Sequence, residues 1–188
     1  EVPVDYKGYY IVWPDGDFYK FRAFEGEPRF RAPRGHKQPL WELSGTVNDT
    51  LIITEGEFNA LSLNTSLQVH TADIMSPGPA GNFVSNSDAI IDYASRYLTV
   101  LIWTDHDPAG IRALWHIYPK LHKLGIEVLE YTSKEDANDV LVKRGPGGLR
   151  NLVERIFSKG DVNDNKQENS SDQRSACSVS APGYRKVS

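Results

Sequence analysis

Cysteine is nearly absent from this 188-residue chain: Cys177 is the only one. That excludes an internal disulfide and any cysteine-built zinc site within these residues. No apolar run approaches the roughly 20 residues needed to cross a bilayer, and the mean hydropathy is -0.46, so no membrane association is expected. The N-terminus lacks the basic-then-apolar pattern of a secretory signal. It starts with Glu1 rather than Met, as a fragment or a processed form would. No G-x-x-x-x-G-K-[ST] stretch is present, which excludes a P-loop helicase motor. Gly145-Pro146-Gly147-Gly148 is glycine-rich but has no Lys-Ser/Thr end, and reads as a helix stop. The five histidines (His36, His70, His106, His116 and His122) show no ligand spacing, and only His106, between two acidic residues, stands apart. Beyond Lys159 there is no Leu, Ile, Phe or Trp, and Ser, Asn, Asp and Gln dominate. Residues 159–188 are therefore expected to form a disordered tail.

Charge is unevenly placed. The formal net charge is -4, yet residues 20–37 carry six basic side chains (Lys20, Arg22, Arg29, Arg31, Arg34, Lys37) against Glu25 and Glu27, a local +4 that leaves -8 for the remainder. A basic patch beside an acidic site suits a polyanionic substrate. A solvated hairpin face with scattered charges is the plainer alternative.

Residues 1–48 read as a β-rich, basic N-terminal subdomain. Strands are expected at 9–13, 18–24 and 29–32, joined by turns at Pro14-Asp15-Gly16-Asp17 and Glu25-Gly26-Glu27-Pro28. Residues 49–158 alternate strand and helix. Strands are expected at 51–54, 67–71, 98–104 and 126–131. Helices are expected at 57–65, 87–96 (capped by Asn86-Ser87), 108–124 (opened by Pro108), 135–143 and 146–158, with a Pro- and Gly-rich loop at 75–86. Such alternation implies an α/β fold with a four-stranded parallel sheet flanked by helices.

Three acidic motifs follow three of these strands: Thr54-Glu55-Gly56-Glu57, Asp105-His106-Asp107-Pro108-Ala109-Gly110 and Glu135-Asp136-Ala137-Asn138-Asp139. Open α/β sheets bind ligands at the carboxyl ends of their strands. Carboxylates gathered there repel one another unless a cation sits among them, and hard oxygen donors suit Mg²⁺ shared with substrate phosphates. Each motif has a structural alternative. Loops are rich in Asp, Glu57 can be a first-turn acid favoured by the helix dipole, and Asp136 with Asp139 can form a helix cap.

The order E-G-x-x-x-A-L, D-x-D-x-A-G, D-x-N-D, read in Glu55 to Leu61, Asp105 to Gly110 and Asp136 to Asp139, resembles the Toprim domain. That domain occurs in bacterial-type primases, topoisomerases, small nucleases and recombination proteins. Within the family, the chain is most similar to the primase half of phage primase-helicases and their Twinkle-like mitochondrial relatives. The resemblance implies Mg²⁺-dependent nucleotidyl transfer, with Mn²⁺ as a substitute, making RNA primers on single-stranded DNA from ribonucleoside triphosphates. It implies Glu55, Asp105 and Asp107 as catalytic residues, Glu55, Asp105, Asp107 and Asp136 as metal ligands, and Arg31, Arg34 and Lys37 as nucleotide or DNA contacts. A replicative helicase and a separate zinc-binding module would be the partners. The setting would be cytoplasmic (a nucleoid or a phage-infected cell), or a mitochondrion or plastid. A nuclease with the same carboxylates, or a non-catalytic DNA- or helicase-binding module, are the alternatives. One departure is Asn59, where the family often has Asp.

Overall fold

A computed structural model of the chain describes residues 7–13, 17–25, 30–43, 48–67 and 71–159. Its strands are β1 (Gly8–Val12), β2 (Tyr19–Ala23), β3 (Phe30–Arg31), β4 (Trp41–Leu43), β5 (Thr50–Glu55), β6 (Asp73–Gly78), β7 (Thr99–Asp105) and β8 (Glu127–Ser133). Its helices are α1 (Glu57–Ser66), α2 (Ala80–Ser85), α3 (Ser87–Ala94), α4 (Pro108–Lys123) and α5 (Ala137–Lys159). The first three strands form a small antiparallel sheet. The others form a five-stranded sheet of order β4-β6-β5-β7-β8, parallel throughout except for β4, which runs antiparallel to β6.

The expected α/β fold with a small antiparallel sheet before it is present, and the parallel sheet gains one edge strand. Trp41-Glu42-Leu43 is too short to show a strand period, and Trp41 is its one fully buried residue.

Leu51, Ile52 and Ile53 are wholly buried, as a parallel strand covered on both faces requires. Alternation divides them. Leu51 and Ile53 face a core with Val100, Ile102, Phe83, Ile90 and Ile117, under α2, α3 and α4. Ile52 faces a second core with Leu101, Trp103, Leu63, Leu149 and Val153, under α1 and α5. Trp13 and Phe18, flanking the small sheet, join this second core; their rings meet edge-to-face at 4.7 Å, and Trp13 also packs against Trp41 at 6.0 Å. Burying an aromatic of this kind stabilises the fold by about 2 kcal/mol, so the small sheet is tied to the large one through Trp13.

Two expected elements move. The strand placed at 67–71 lies at Asp73–Gly78, and the loop placed at 75–86 contains helix α2. Leu67 instead caps α1, its N–H bonded to the Leu63 carbonyl. Pro77 misled the reading because proline belongs at strand edges and bulges. Here it sits where the β5–β6 register shifts, and beyond the last β4 pair at Ser76. Asn86 precedes α3 but does not cap it with its side chain, which donates to the Gln38 carbonyl at 3.1 Å. The helices expected at 135–143 and 146–158 meet at Gly145, whose φ of 69° breaks the helical path of α5. The turns expected at 14–17 and 25–28 fall largely, and the tail at 159–188 almost wholly, outside the described residues.

Candidate functional site

Each acidic candidate stands at, or just past, the carboxyl end of a parallel strand. Glu55 closes β5, Asp105 closes β7, Asp107 follows two residues later, and Asp136 comes three residues after β8. The loops that hold them share hydrogen bonds. His106 N donates to the Ser133 carbonyl at 3.0 Å, and Gly56 N to the Gly78 carbonyl at 3.0 Å.

Glu55 is 8% exposed. Its Oε1 accepts the Asp105 backbone N–H at 3.1 Å, and the Ala80 N–H at the start of α2 also bonds to it. Gly56 turns the chain at φ 69°, a conformation costly for other residues. Gly110 allows close approach: a Cβ there would lie 2.3 Å from the Asp105 carbonyl oxygen and 2.7 Å from Glu55 Oε1. Burial, with the charges of Asp105 and Asp107, pushes the Glu55 carboxyl up to about 7 against the hydrogen bonds it accepts. Burial also raises Asp105, and the carboxylates of Asp136, Asp107 and Asp139 raise it further.

Asp107 caps α4: its Oδ1 accepts from Ala109 N at 2.8 Å and Gly110 N at 2.7 Å. Asp136 caps α5 in the same way, accepting from Asp139 N at 2.7 Å. The cap alternative for Asp136 is therefore realised, Asp107 is a cap that the sequence reading did not name, and the same two side chains add to the negative field at Asp105. Glu135 turns away to Lys143 and Arg144, which hold its exposed carboxyl below the usual range.

Among the described residues, no three His, Cys, Asp or Glu side chains form a preformed metal cage. The donor set still fits Mg²⁺. The donors are hard oxygens, the field at Asp105 is an excess of negative charge, and Mg²⁺ is commonly held by one or two carboxylates with waters and substrate phosphates.

Asn59 explains its departure from the family pattern. It is buried, its Nδ2 donates to the Glu55 carbonyl at 2.9 Å, and its Oδ1 accepts from Asn138 N at 3.0 Å. Both ends of the amide are used to brace the Glu55 turn against the Asp136 turn, and an ionised aspartate would lack the donor.

The basic candidates occupy different settings. Arg31 is half-buried in β3 and Arg34 lies exposed in the turn after it. Lys37 donates to the Ser85 carbonyl at 2.6 Å, at the end of α2. Lys20 pairs with Glu57 at 2.9 Å, and Glu57, only 2% exposed, also accepts from Gln38 at 2.9 Å. Glu57 is thus a first-turn acid of α1 and also a buried link to β2. Arg22 lies over the Phe58 ring at 4.5 Å. Ala80 and Gln38 had no individual signal in the sequence. Ala80 follows a strand whose proline hid it, and Gln38 meets that strand only through the Pro77 carbonyl at 3.4 Å.

A model of the Toprim domain matches residues 50–147. No curated protein sequence matches the chain. Among solved structures, the primase fragment of the bacteriophage T7 primase-helicase aligns with a TM-score of 0.54 and 19% identity, covering 78% of this chain and 57% of that one. A chain in the structure of bacteriophage T7 lagging-strand DNA polymerase interacting with primase domains of two gp4 subunits, bound to an RNA/DNA hybrid and dTTP, aligns at 0.55 and 18%, covering 74% and 69%. The Aquifex aeolicus primase, comprising zinc-binding and RNA polymerase domains, aligns at 0.51 and 18%, covering 79% and 38%. This chain therefore spans little more than half of the T7 primase fragment, and at these identities the likeness is one of fold. With the model match covering more than half of its residues, the chain belongs to the Toprim domain family.

Proposed function

We propose that this protein is a primase-type nucleotidyltransferase that joins ribonucleotides on a single-stranded DNA template. One observation carries the reading: a buried carboxyl, Glu55 at the end of β5, bonded to the backbone of the Asp105 turn, where burial and the charges of Asp105 and Asp107 push it up to about 7. The likeness in fold to primases of a phage and of Aquifex aeolicus supports it.

Asp105, Asp107 and Asp136, with Glu55 beside them, would hold Mg²⁺ or Mn²⁺. When bound, the ion would supply charge neutralisation at the nucleotide phosphates. Glu55 would take the proton from the attacking 3′-hydroxyl as general base. The new bond joins that oxygen to the α-phosphorus, the bond to the bridging oxygen of the β-phosphate breaks, and pyrophosphate leaves. Gly110 keeps the floor of the site free of side-chain atoms. Arg31, Arg34 and Lys37 remain the proposed contacts to the strand or the triphosphate, acting as point charges or forks. A zinc-binding module and a replicative helicase would come from outside these residues, because the sequence has one cysteine and no P-loop. No helix among the described residues is long and apolar enough to cross a membrane, and a cytoplasmic or organellar replication setting completes the proposal.

The test incubates the chain with single-stranded DNA, labelled ribonucleotides and Mg²⁺ or Mn²⁺, and resolves the products on a gel. Short oligoribonucleotides that need the metal, and that fall at least about 100-fold in Asp105→Asn while DNA binding persists, are expected. Shortened DNA would assign a nuclease instead. DNA binding without product in any metal would assign a recruiting module.

A further inference from the structure

Helix α4 has a buried face and an exposed one, and the exposed face is unusual. Ala113, Leu114, Ile117 and Leu121 are buried. On the other side, Trp115 is 56% exposed, whereas Trp13, Trp41 and Trp103 are all 5% or less. Trp115 meets Tyr118 at 5.5 Å between ring centroids, and Tyr118 stacks on His122 at 6.2 Å and 11°. The spacing 115-118-122 places the three rings in one ridge, with Trp115 and His122 exposed and Tyr118 half-buried against the core between them. One residue on around the helix, about 100° away, runs a second ridge with Arg112 and Lys123, both exposed and in no ion pair among the described residues. No acidic residue occurs in α4, in a chain whose net charge is -4. From Arg112 to Lys123 the ridges extend about 16 Å, and the helix begins at the Asp107 cap, against the carboxylates.

We propose that this face is a stacking platform for single-stranded nucleic acid, with bases on the Trp115–Tyr118–His122 ridge and phosphates along Arg112 and Lys123. Aromatic rings beside a cationic track are how sequence-independent single-strand binding is built, since every base has a stacking face and every linkage a charge. The ridge of unpaired cations selects a polyanion over a protein surface of mixed charge. The inference rests on the reading of the protein as one acting on nucleic acid, and adds a surface that leads a strand away from the carboxylates.

The test is a binding titration of the full chain in EDTA, so that catalysis plays no part. Labelled single-stranded oligo(dT) and oligo(rU) of 12 nucleotides are followed by anisotropy, together with tryptophan emission. Binding is expected to quench the emission, because Trp115 is the exposed tryptophan. Trp115→Ala is expected to weaken binding about tenfold and to remove the quench, while Trp115→Phe restores most of the affinity. The Arg112→Ala, Lys123→Ala double variant is expected to make the slope of log K against log salt shallower by about 1.4. The tighter of the two oligonucleotides identifies the strand as template-like DNA or product-like RNA. Unchanged affinity in both variants with unquenched emission would overturn the proposal. So would a Trp115→Ala variant that alters self-association in sedimentation while binding oligonucleotide normally. Trp115-dependent binding in a chain that makes no oligoribonucleotides would uphold this inference and sink only the catalytic one.

Discussion

Glu55 holds its proton more tightly in the fold than in the unfolded chain, with a carboxyl at about 7 against an ordinary 4.5. A raised folded value means that the stabilising contribution is complete below pH about 4.5 and is lost as pH rises through about 7. The full shift corresponds to about 3 kcal/mol, and solvent at the mouth of the site reduces it to about 1–2 kcal/mol. In EDTA, thermal unfolding at pH 5 and pH 8 should therefore show a larger loss for the wild type than for Glu55→Gln. Asp105, raised in the same direction, leaves Glu55→Gln with a smaller slope of its own. Equal slopes in the two proteins would show that the Glu55 carboxyl is ionised and solvated. At this scale the sequence was informative: Glu55, Asp105, Asp107 and Asp136 all lie at the carboxyl ends of parallel strands, because a glycine turn or a helix cap must follow each strand. The double use of Asn59 was not legible, since it depends on Asn138, 79 residues away.

At the scale of elements, the start of α4 combines a cap with a charge. Asparagine caps about as well as aspartate, and alanine does not. Asp107→Asn should keep the thermal midpoint and lose catalytic activity at least tenfold. Asp107→Ala should lose the activity and about 1 kcal/mol of stability as well. An active Asp107→Asn would reduce Asp107 to a cap. The elements legible in the sequence include β5, β7 and α4 and the break at Gly145, which have long apolar runs or strong punctuation, together with α1 and β8. The β6 strand and α2 were missed because Ser76-Pro77-Gly78-Pro79 carries turn signals, while tertiary contacts decide the outcome. Gln38 and Asn82 reach the Pro77 carbonyl at 3.4 and 2.8 Å.

At the scale of the whole molecule, the small sheet is held to the large one by the Trp13–Trp41 contact and by the Lys20–Glu57 pair. The pair is nearly dry, with side chains 12% and 2% exposed. Removing one partner strands the other, so Lys20→Met should cost about 3 kcal/mol in urea unfolding. The Lys20→Met, Glu57→Gln double variant should recover much of that, the signature of coupled groups. A cost below about 0.5 kcal/mol for Lys20→Met would mean a solvated pair. Sequence charge counting placed Lys20 in a substrate patch because both the pairing with Glu57 and the burial that drives it are long-range.

The proposed function requires the carboxylates at the strand ends to act together on a divalent cation and a nucleotide. Its most direct test is Mn²⁺ binding to the full chain, read by paramagnetic resonance, with and without a ribonucleoside triphosphate. Mn²⁺ is expected to bind the wild type, more tightly with triphosphate present, and not to bind Asp105→Asn and Asp107→Asn variants of unchanged thermal midpoint. Equal Mn²⁺ binding in the wild type and both variants would contradict it.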